Sequence, residues 1–445
     1  MRDGDSWKTP EIGETGQEDT LITIYIDPGT GSMIFSLAIG LLSVAWFGIR
    51  KIYLKLKYLS PGRDKTDDKT IPLAIFSDDK RYWQTFEPIC RELNERGFDM
   101  TYLTMSDNDP ALNNAFPHLH AEYIGDGNKA FARLNFLKAT LLFSTTPGLD
   151  VYQWKRSKDV RFYVHIPHGA NDSTTGYRSF GLDYYDAVMV SGQYQEDAMR
   201  ELEKLRDLSA KEAVMVGVPY LDELEKRFRE SPTLSPHGRT VLVAPTWGAS
   251  SLFSRFGEAM ISALIRTGYR IILRPHPQSF TADKELIEKL INQFPDSDQI
   301  EWNRDADNFE VLRKSDIMIS DYSGVIFDFA FVFDRPVICA DTKMSTDPLD
   351  AWWLGKPLWA VDALPRIGPL LTEDKLPQIK ELIDMALEDH SFTESRHQAR
   401  DETWAFRGEG AKRAADYLVC KYKELSSLPE KTDMDIQKDR NKPGS

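Results

Sequence analysis

Three short stretches of this chain concentrate the side chains that can hold phosphate or move a proton. "HIPHGAND", His165 to Asp172, carries two imidazoles three residues apart. "RPHPQSF", Arg274 to Phe280, sets the guanidinium of Arg274 and the imidazole of His276 into a loop stiffened by Pro275 and Pro277. "SDYSG", Ser320 to Gly324, brings the hydroxyls of Ser320, Tyr322 and Ser323 beside Asp321, just before an apolar helical pattern opens at Val325.

An arginine grips a phosphate through two parallel N–H bonds, and a histidine can donate to a bridging or leaving oxygen. A helix start presents unpaired N–H groups and the positive dipole end, which suits phosphate oxygens. The plainer role for "SDYSG" is an ordinary cap, with Ser323 or Asp321 satisfying the first turn. For Arg274 and His276 it is a strand-end ion pair and a half-exposed ring, although two prolines fixing one histidine favour function. Gly169 lets the backbone turn sharply, which would leave His168 projecting as a base for an attacking hydroxyl. Such a base supplies roughly 10²–10⁴-fold, the remainder coming from positioning and charge stabilisation. His165 more plainly packs at a strand edge. The HxxH spacing also raises a metal pair, but no third ligand follows and Pro167 bars a regular helix. Cys90, Cys339 and Cys420 lie far apart with no CxxC, giving no disulfide or metal framework and suiting a reducing compartment. No Walker A, no GxGxxG after the first strand, no GxSxG and no HExxH occurs, so neither cofactor nor metal is called for.

The elements that must position these residues follow from periodicity. Apolar runs at "PLAIFS", "DMTYLTM", "ATLLFST", "VRFYVHI", "DAVMVS" and "AVMVG" predict strands, with amphipathic helices between most of them, as at Tyr82 to Arg96 and Tyr194 to Leu205. A Pro/Ser-rich stretch, Phe228 to Thr240, reads as a hinge, after which "TVLVAPT", "YRIILRP", "SDIMIS" and "RPVICA" restart the alternation. This is the pattern of an α/β protein with two Rossmann-like parallel-sheet domains facing across a cleft. Ligands of such sheets sit beyond the carboxyl ends of the strands, where "HIPHGAND", "GVPYLDE", "APTWGAS" (with Thr246), "RPHPQSF" and "SDYSG" all fall. The expected division is a polar segment at 1–31, a membrane anchor with basic flank at 32–58 and a linker at 59–70. An N-terminal domain at 71–229, a hinge at 230–240, a C-terminal domain with a closing helix at 241–427 and a disordered tail at 428–445 complete it. The aromatic stretch Ala351 to Trp359 could touch lipid, but core and loop packing is the simpler expectation.

At 445 residues, 41% hydrophobic and 28% charged, the chain is long enough for two globular domains. A formal net charge of −14 argues against a general nucleic-acid binder, so any anionic ligand must be held by local donors. Ser32 to Ile49 carries no charge, and as a helix would span roughly 27 Å, enough for a bilayer core. Arg50, Lys51, Lys55 and Lys57 follow it, whereas only Arg2 and Lys8 stand against six acids in the first 20 residues. The positive-inside rule then predicts a single-pass protein of the inner membrane with its body in the cytoplasm.

Taken in order, "PHG", "VGVPYLDEL", "APTW", "RPHP" and "SDYSGVIFDFAF…RPVI" resemble the CDP-glycerol glycerophosphotransferases of teichoic-acid synthesis, from about Ile71 to Leu425. The resemblance implies a GT-B fold and transfer of glycerol phosphate from CDP-glycerol to a hydroxyl on a lipid-linked or glycan acceptor, with release of CMP. It makes His168 the base and places Arg274 and His276 at the pyrophosphate. Ser320, Asp321, Tyr322, Ser323 and Gly324 then form the helix end that receives the phosphates, with Thr246 close by. The sequence departs from the usual Trp-His-Gly-Thr-Pro-Leu at Pro167 to Asp172, and Gly324 replaces a usual serine. Rival expectations are a nucleotide-sugar glycosyltransferase or 2-epimerase of the same fold, and a non-catalytic binding protein in envelope assembly.

Overall fold

The computed structural model describes residues 45–46, 48–49, 70–170, 172–235, 237–305, 307–344, 346–347, 349–355 and 358–428. The chain divides into two compact units, 1–63 and 64–445, and the second holds everything that follows in this section. The expected membrane anchor lies outside the described residues except at Ala45, Trp46, Gly48 and Ile49. Among the described residues no helix is long and apolar enough to cross a membrane.

Residues 64–445 build two lobes, each on a wholly parallel sheet. In the first lobe seven strands stand in the order β3-β2-β1-β4-β5-β6-β7. They are β1 (Ile71–Ser77), β2 (Met100–Thr104), β3 (Leu119–Tyr123), β4 (Ala139–Ser144), β5 (Val160–His165), β6 (Ala187–Val190) and β7 (Glu212–Met215). The second lobe repeats the plan with six strands in the order β10-β9-β8-β11-β12-β13. These are β8 (Thr240–Val243), β9 (Arg270–Leu273), β10 (Ile300–Trp302), β11 (Ile317–Ser320), β12 (Val337–Ala340) and β13 (Leu370–Leu371). The central strands read as nearly unbroken apolar runs because helices cover both faces, leaving no solvent side to alternate toward. β3, β10 and β13 escape the apolar-run reading, since each is a short edge strand carrying polar or half-exposed residues.

The order of connection reverses between β1 and β4, and again between β8 and β11. At these switch points adjacent loops diverge to opposite faces and open a crevice above the strand ends. The helix Val325–Val332, which follows β11, is buried along almost its whole circumference. A helix that is apolar all round must be central. Its Ile326, Phe327, Phe329 and Ala330 share one core with Val218, Leu221 and Leu224, at and within the first lobe's helix Pro219–Glu230.

One boundary expectation is corrected. The final helix, Gly410–Ser427, does not close the second lobe but crosses back to the first. Ala414, Ala415 and Leu418 enter a core with Phe86, Ile89 and Leu93, the small alanines allowing close approach. Asp222 secures the crossing by accepting from the Trp404 indole N–H at 2.8 Å and from the amides of Gly408 (2.7 Å) and Gly410 (2.9 Å). Gly217 makes room for it: its backbone is at φ +85°, and a Cβ there would meet the Ala405 carbonyl at 2.0 Å.

Candidate active site at the lobe junction

β5 ends at His165 and hands the chain to Ile166, Pro167 and His168. His165 is fully buried, with Nε2 3.1 Å from the Tyr177 hydroxyl, so it serves the lobe rather than the cleft. His168 is half-buried and rests against the Tyr82 ring at 4.9 Å, while the Thr85 hydroxyl donates to its carbonyl at 3.5 Å. Nδ1 of His168 is enclosed without a hydrogen-bond partner. Burial pushes the His168 pKa down to about 4, with the nearby Arg81 charge acting in the same direction. The ring is therefore neutral at pH 7 and can accept a proton.

Across the junction, β9 delivers Arg274 and His276. The Arg274 guanidinium donates to Asn303 Oδ1 and, at 2.9 Å, to the Asp305 carbonyl, which fix its plane. Burial lowers its pKa, partly offset by Asp305 and Asp307. His276 Nδ1 accepts from the Gln278 amide at 3.1 Å, so the neutral ring carries its proton on Nε2 as a donor. Its pKa is pushed down to about 4, first by burial and then by the charges of Arg81, His168 and Arg274, with Asp283 opposing. Arg81 and His168 belong to the first lobe, whose Asp172, four residues beyond His168, reaches the second lobe's Ala360 amide at 3.4 Å, so the strand-end loops of the two lobes meet.

The "SDYSG" turn splits into two layers. Ser320 is fully buried and donates to the Ala244 carbonyl at 2.7 Å. Asp321, also fully buried, accepts from the amides of Thr246 (2.7 Å), Leu252 (2.8 Å) and Ser323 (3.2 Å). Burial raises its pKa to about 6 against the pull of those amides. Ser320 and Asp321 therefore pin β11 to the β8 loop at the switch point, correcting the expectation that they face a ligand. The outer layer differs. Tyr322 and Gly324 are half-exposed, and Gly324 begins the helix with no side-chain cap. Thr246, oriented by Asp321, stands half-exposed beside this turn. No side chain caps the helix itself, but the Ile326 and Phe327 amides already donate to the Ser323 and Gly324 carbonyls at 3.1 and 3.0 Å, so any external acceptor would have to meet the amides ahead of them.

Several contributors were not singled out from sequence. Asp78, Arg81, Tyr82 and Thr85 all follow β1, and Asp78 accepts from the Thr146 hydroxyl beyond β4 at 2.8 Å. Arg81 is braced by two bonds to Asp79, at 2.9 and 3.0 Å. The carboxyl end of β1 flanks the first switch point, a position that would have flagged them. Asp172, in the divergent loop, accepts from the Thr174 amide and hydroxyl at 3.0 and 2.6 Å and reaches the Ala360 amide at 3.4 Å. It therefore caps the helix Trp359–Ile367 from the opposite lobe. Trp359 is wedged between Tyr194 at 4.3 Å and Phe327 at 4.9 Å. Among the described residues, no three His, Cys, Asp or Glu side chains stand together as metal ligands.

Two facing parallel-sheet lobes with reactive groups at both switch points define a Rossmann-type protein of GT-B architecture. Residues 62–346 match the model of the CDP-Glycerol:Poly(glycerophosphate) glycerophosphotransferase family, and the chain belongs to that family. It is 23% identical over 220 residues to the teichoic acid glycerol-phosphate primase of Bacillus spizizenii, an alignment covering 46% of this chain. The match spans about half, 54%, of that relative's length. Its fold is similar to the wall teichoic acid polymerase TagF soaked with CDPG, at TM-score 0.55 and 15% identity, covering 89% of this chain and 99% of that one. It is also similar to the S. aureus MnaA–UDP co-structure, at TM-score 0.54 and 11% identity, covering 81% and 99%.

Proposed function

We propose that this chain is a membrane-anchored glycerophosphotransferase, moving glycerol phosphate or a related phosphoalditol from a CDP-activated donor to a hydroxyl of a lipid-linked or glycan acceptor. The single observation that carries the reading is the meeting of the lobes at their strand ends, where Asp172 of the His168 loop reaches the Ala360 amide at 3.4 Å and His168 and Arg81 lie near enough to act on the charge of His276. Family membership supplies the donor class. In this reading Arg274, the amide-rich start of the helix Val325–Val332, Thr246, Tyr322 and Ser323 hold the donor's two phosphates. His168 removes the acceptor hydroxyl proton. The acceptor oxygen forms a bond to the β-phosphorus as the bond from that phosphorus to the bridging oxygen breaks. CMP leaves with the electron pair, and His276 Nε2–H donates to the departing oxygen. A bound diphosphate would raise both imidazole pKa values from about 4 toward the working range, since an opposite charge favours the protonated form. The stretch Ser32 to Ile49 serves as a single-pass anchor in the inner membrane, with the lobes in the cytoplasm.

The test is full-length protein with CDP-glycerol or UDP-sugars. A thermal midpoint raised by CDP-glycerol, together with acceptor-dependent CMP release that collapses in His168→Ala, is the expected result. Stabilisation by a UDP-sugar with none by CDP-glycerol would overturn the donor. Undiminished CMP release by the variant would remove the base.

A further inference from the structure

Two loops, one from each lobe, are zipped together beside the junction and hold large aromatic rings out into solvent. Arg178 and Leu349 form an antiparallel bridge. The Asp350 amide donates to the Tyr177 carbonyl at 3.1 Å, and Ser179 Oγ donates to the Leu349 carbonyl at 3.2 Å. Beneath lies Arg206, whose side chain is only 4% exposed and which pairs with Asp183 at 2.7 Å and with Asp350. Its guanidinium lies 4.6 Å from the Phe180 ring centroid and 5.1 Å from that of Trp353.

The rings themselves are open. Trp352 is 66% exposed, Trp353 41% and Phe180 39%, so of the core and loop packing expected for Ala351 to Trp359 the core part falls to Ala351 and Trp359 and not to this pair. Phe180 sits at φ +70°, a backbone region unfavourable for a bulky residue. Its amide is held there by Asp350 Oδ1 at 2.8 Å. A buried ion-pair network and a strained backbone therefore maintain an outward aromatic face that folding alone would not favour.

We propose that this platform, Phe180, Trp352 and Trp353, docks on a lipid bilayer at headgroup depth and holds the active-site junction against the membrane. Amphipathic tryptophan favours that depth. The inference rests on the membrane part of the reading above. A 12-residue linker, 59–70, leads from the uncharged stretch and its basic flank to the lobes, and it extends to about 40 Å at most. A linker of that reach ties the lobes to the bilayer of any anchor while leaving their orientation to be set by surface contacts. A chain of net charge −14 cannot rely on general attraction to anionic headgroups, so adherence falls to aromatic insertion.

The experiment places the full chain in phosphatidylethanolamine–phosphatidylglycerol vesicles containing a shallow-brominated phosphatidylcholine and reads tryptophan quenching. Trp352→Ser/Trp353→Ser should lower the quenched fraction about twofold, since these rings and Trp46 are the ones at lipid depth. Trp352→Ser alone should lower it less, and Trp247→Ser, an exposed site on the second lobe, should leave it unchanged. Trp46→Phe should retain the platform's share. Equal quenching of wild type and double variant overturns the proposal, as does complete loss of quenching in Trp46→Phe. Absence of quenching in every chain overturns the anchor as well. Shielding of the two rings from acrylamide that grows with protein concentration in detergent overturns it in favour of a second copy. None of these readouts uses turnover, so failure of the transferase reading is told apart by CMP release.

Discussion

The two lobes share one plan, yet their carboxyl edges are furnished for different work. The first lobe's edge sets an imidazole on a phenol ring beside the braced Arg81: His168 leans on Tyr82 and has a buried, unpartnered Nδ1. The second lobe's edge is guanidinium and backbone amide, each fixed by a neighbour: Arg274 by Asn303 and Asp305, Thr246 by Asp321. A base must be neutral to accept a proton and gains strength as a bound anion brings its pKa back toward the working pH, whereas an anion site works best when its donors are locked before the ligand arrives. Activation of the acceptor should therefore depend on the first lobe and donor affinity on the second, with His276 serving the leaving group from the donor side.

The sharpest break of that division is His168→Ala, expected to lower CMP release by roughly 10²–10⁴-fold while leaving CDP-glycerol affinity within a few-fold. Loss of affinity instead of turnover would reverse the assignment of the lobes. Next, Asp321→Ala should cost about 3 kcal/mol in urea unfolding, because three amides, two of them in buried bonds, lose their acceptor. An unchanged midpoint would show that the inner layer of the turn is not structural. Arg274→Gln should weaken CDP-glycerol binding by about 2 kcal/mol, roughly 30-fold, measured by calorimetry, as expected for a charge-assisted bond. Asp172→Asn keeps the size but replaces one of two accepting oxygens by an NH2 donor as it removes the charge at the helix Trp359–Ile367, so urea unfolding should show a loss of about 1 kcal/mol.

Acid adds a test specific to the first lobe. Burial lowers the His165 pKa from 6.5 to about 3, so the unfolded chain binds its proton at a pH where the folded chain does not. That stability is fully present above about pH 6.5 and falls as pH drops toward 3. The folding constant loses up to tenfold per pH unit for this ring. His165→Phe should flatten the acid limb measured by urea unfolding between pH 6.5 and 4. An unaltered slope would place the proton uptake elsewhere.

The catalytic-side residues were legible to very different degrees. His168, Arg274 and His276 announce themselves because proline and glycine neighbours mark them as strand-end loops. Arg81 and Tyr82 do not, since "DDKRYW" reads as an ordinary exposed helix start until the β1/β4 reversal places it beside His168. Ser320 and Asp321 mislead in the opposite sense. Their types suit phosphate, but polar partners from the neighbouring β8 loop hold both inward, Ser320 on the Ala244 carbonyl and Asp321 on the Thr246 and Leu252 amides. Trp352 and Trp353 mislead by hydrophobicity, because nothing local to them says that a 3-10 turn will present both rings outward.

What local pattern determined is the alternation of strand and helix, the parallel sheets it entails, the hinge, and the loops that carry reactive groups. Each depends on contacts within a few tens of residues, where periodicity and Pro/Gly punctuation speak directly. Only tertiary structure decided which residues of each loop face the junction, that the last helix returns to the first lobe, and that Asp172 caps a helix 188 residues away. Those outcomes rest on pairings between distant segments, and a linear pattern does not encode which distant partner a buried carboxylate or an alanine face will meet.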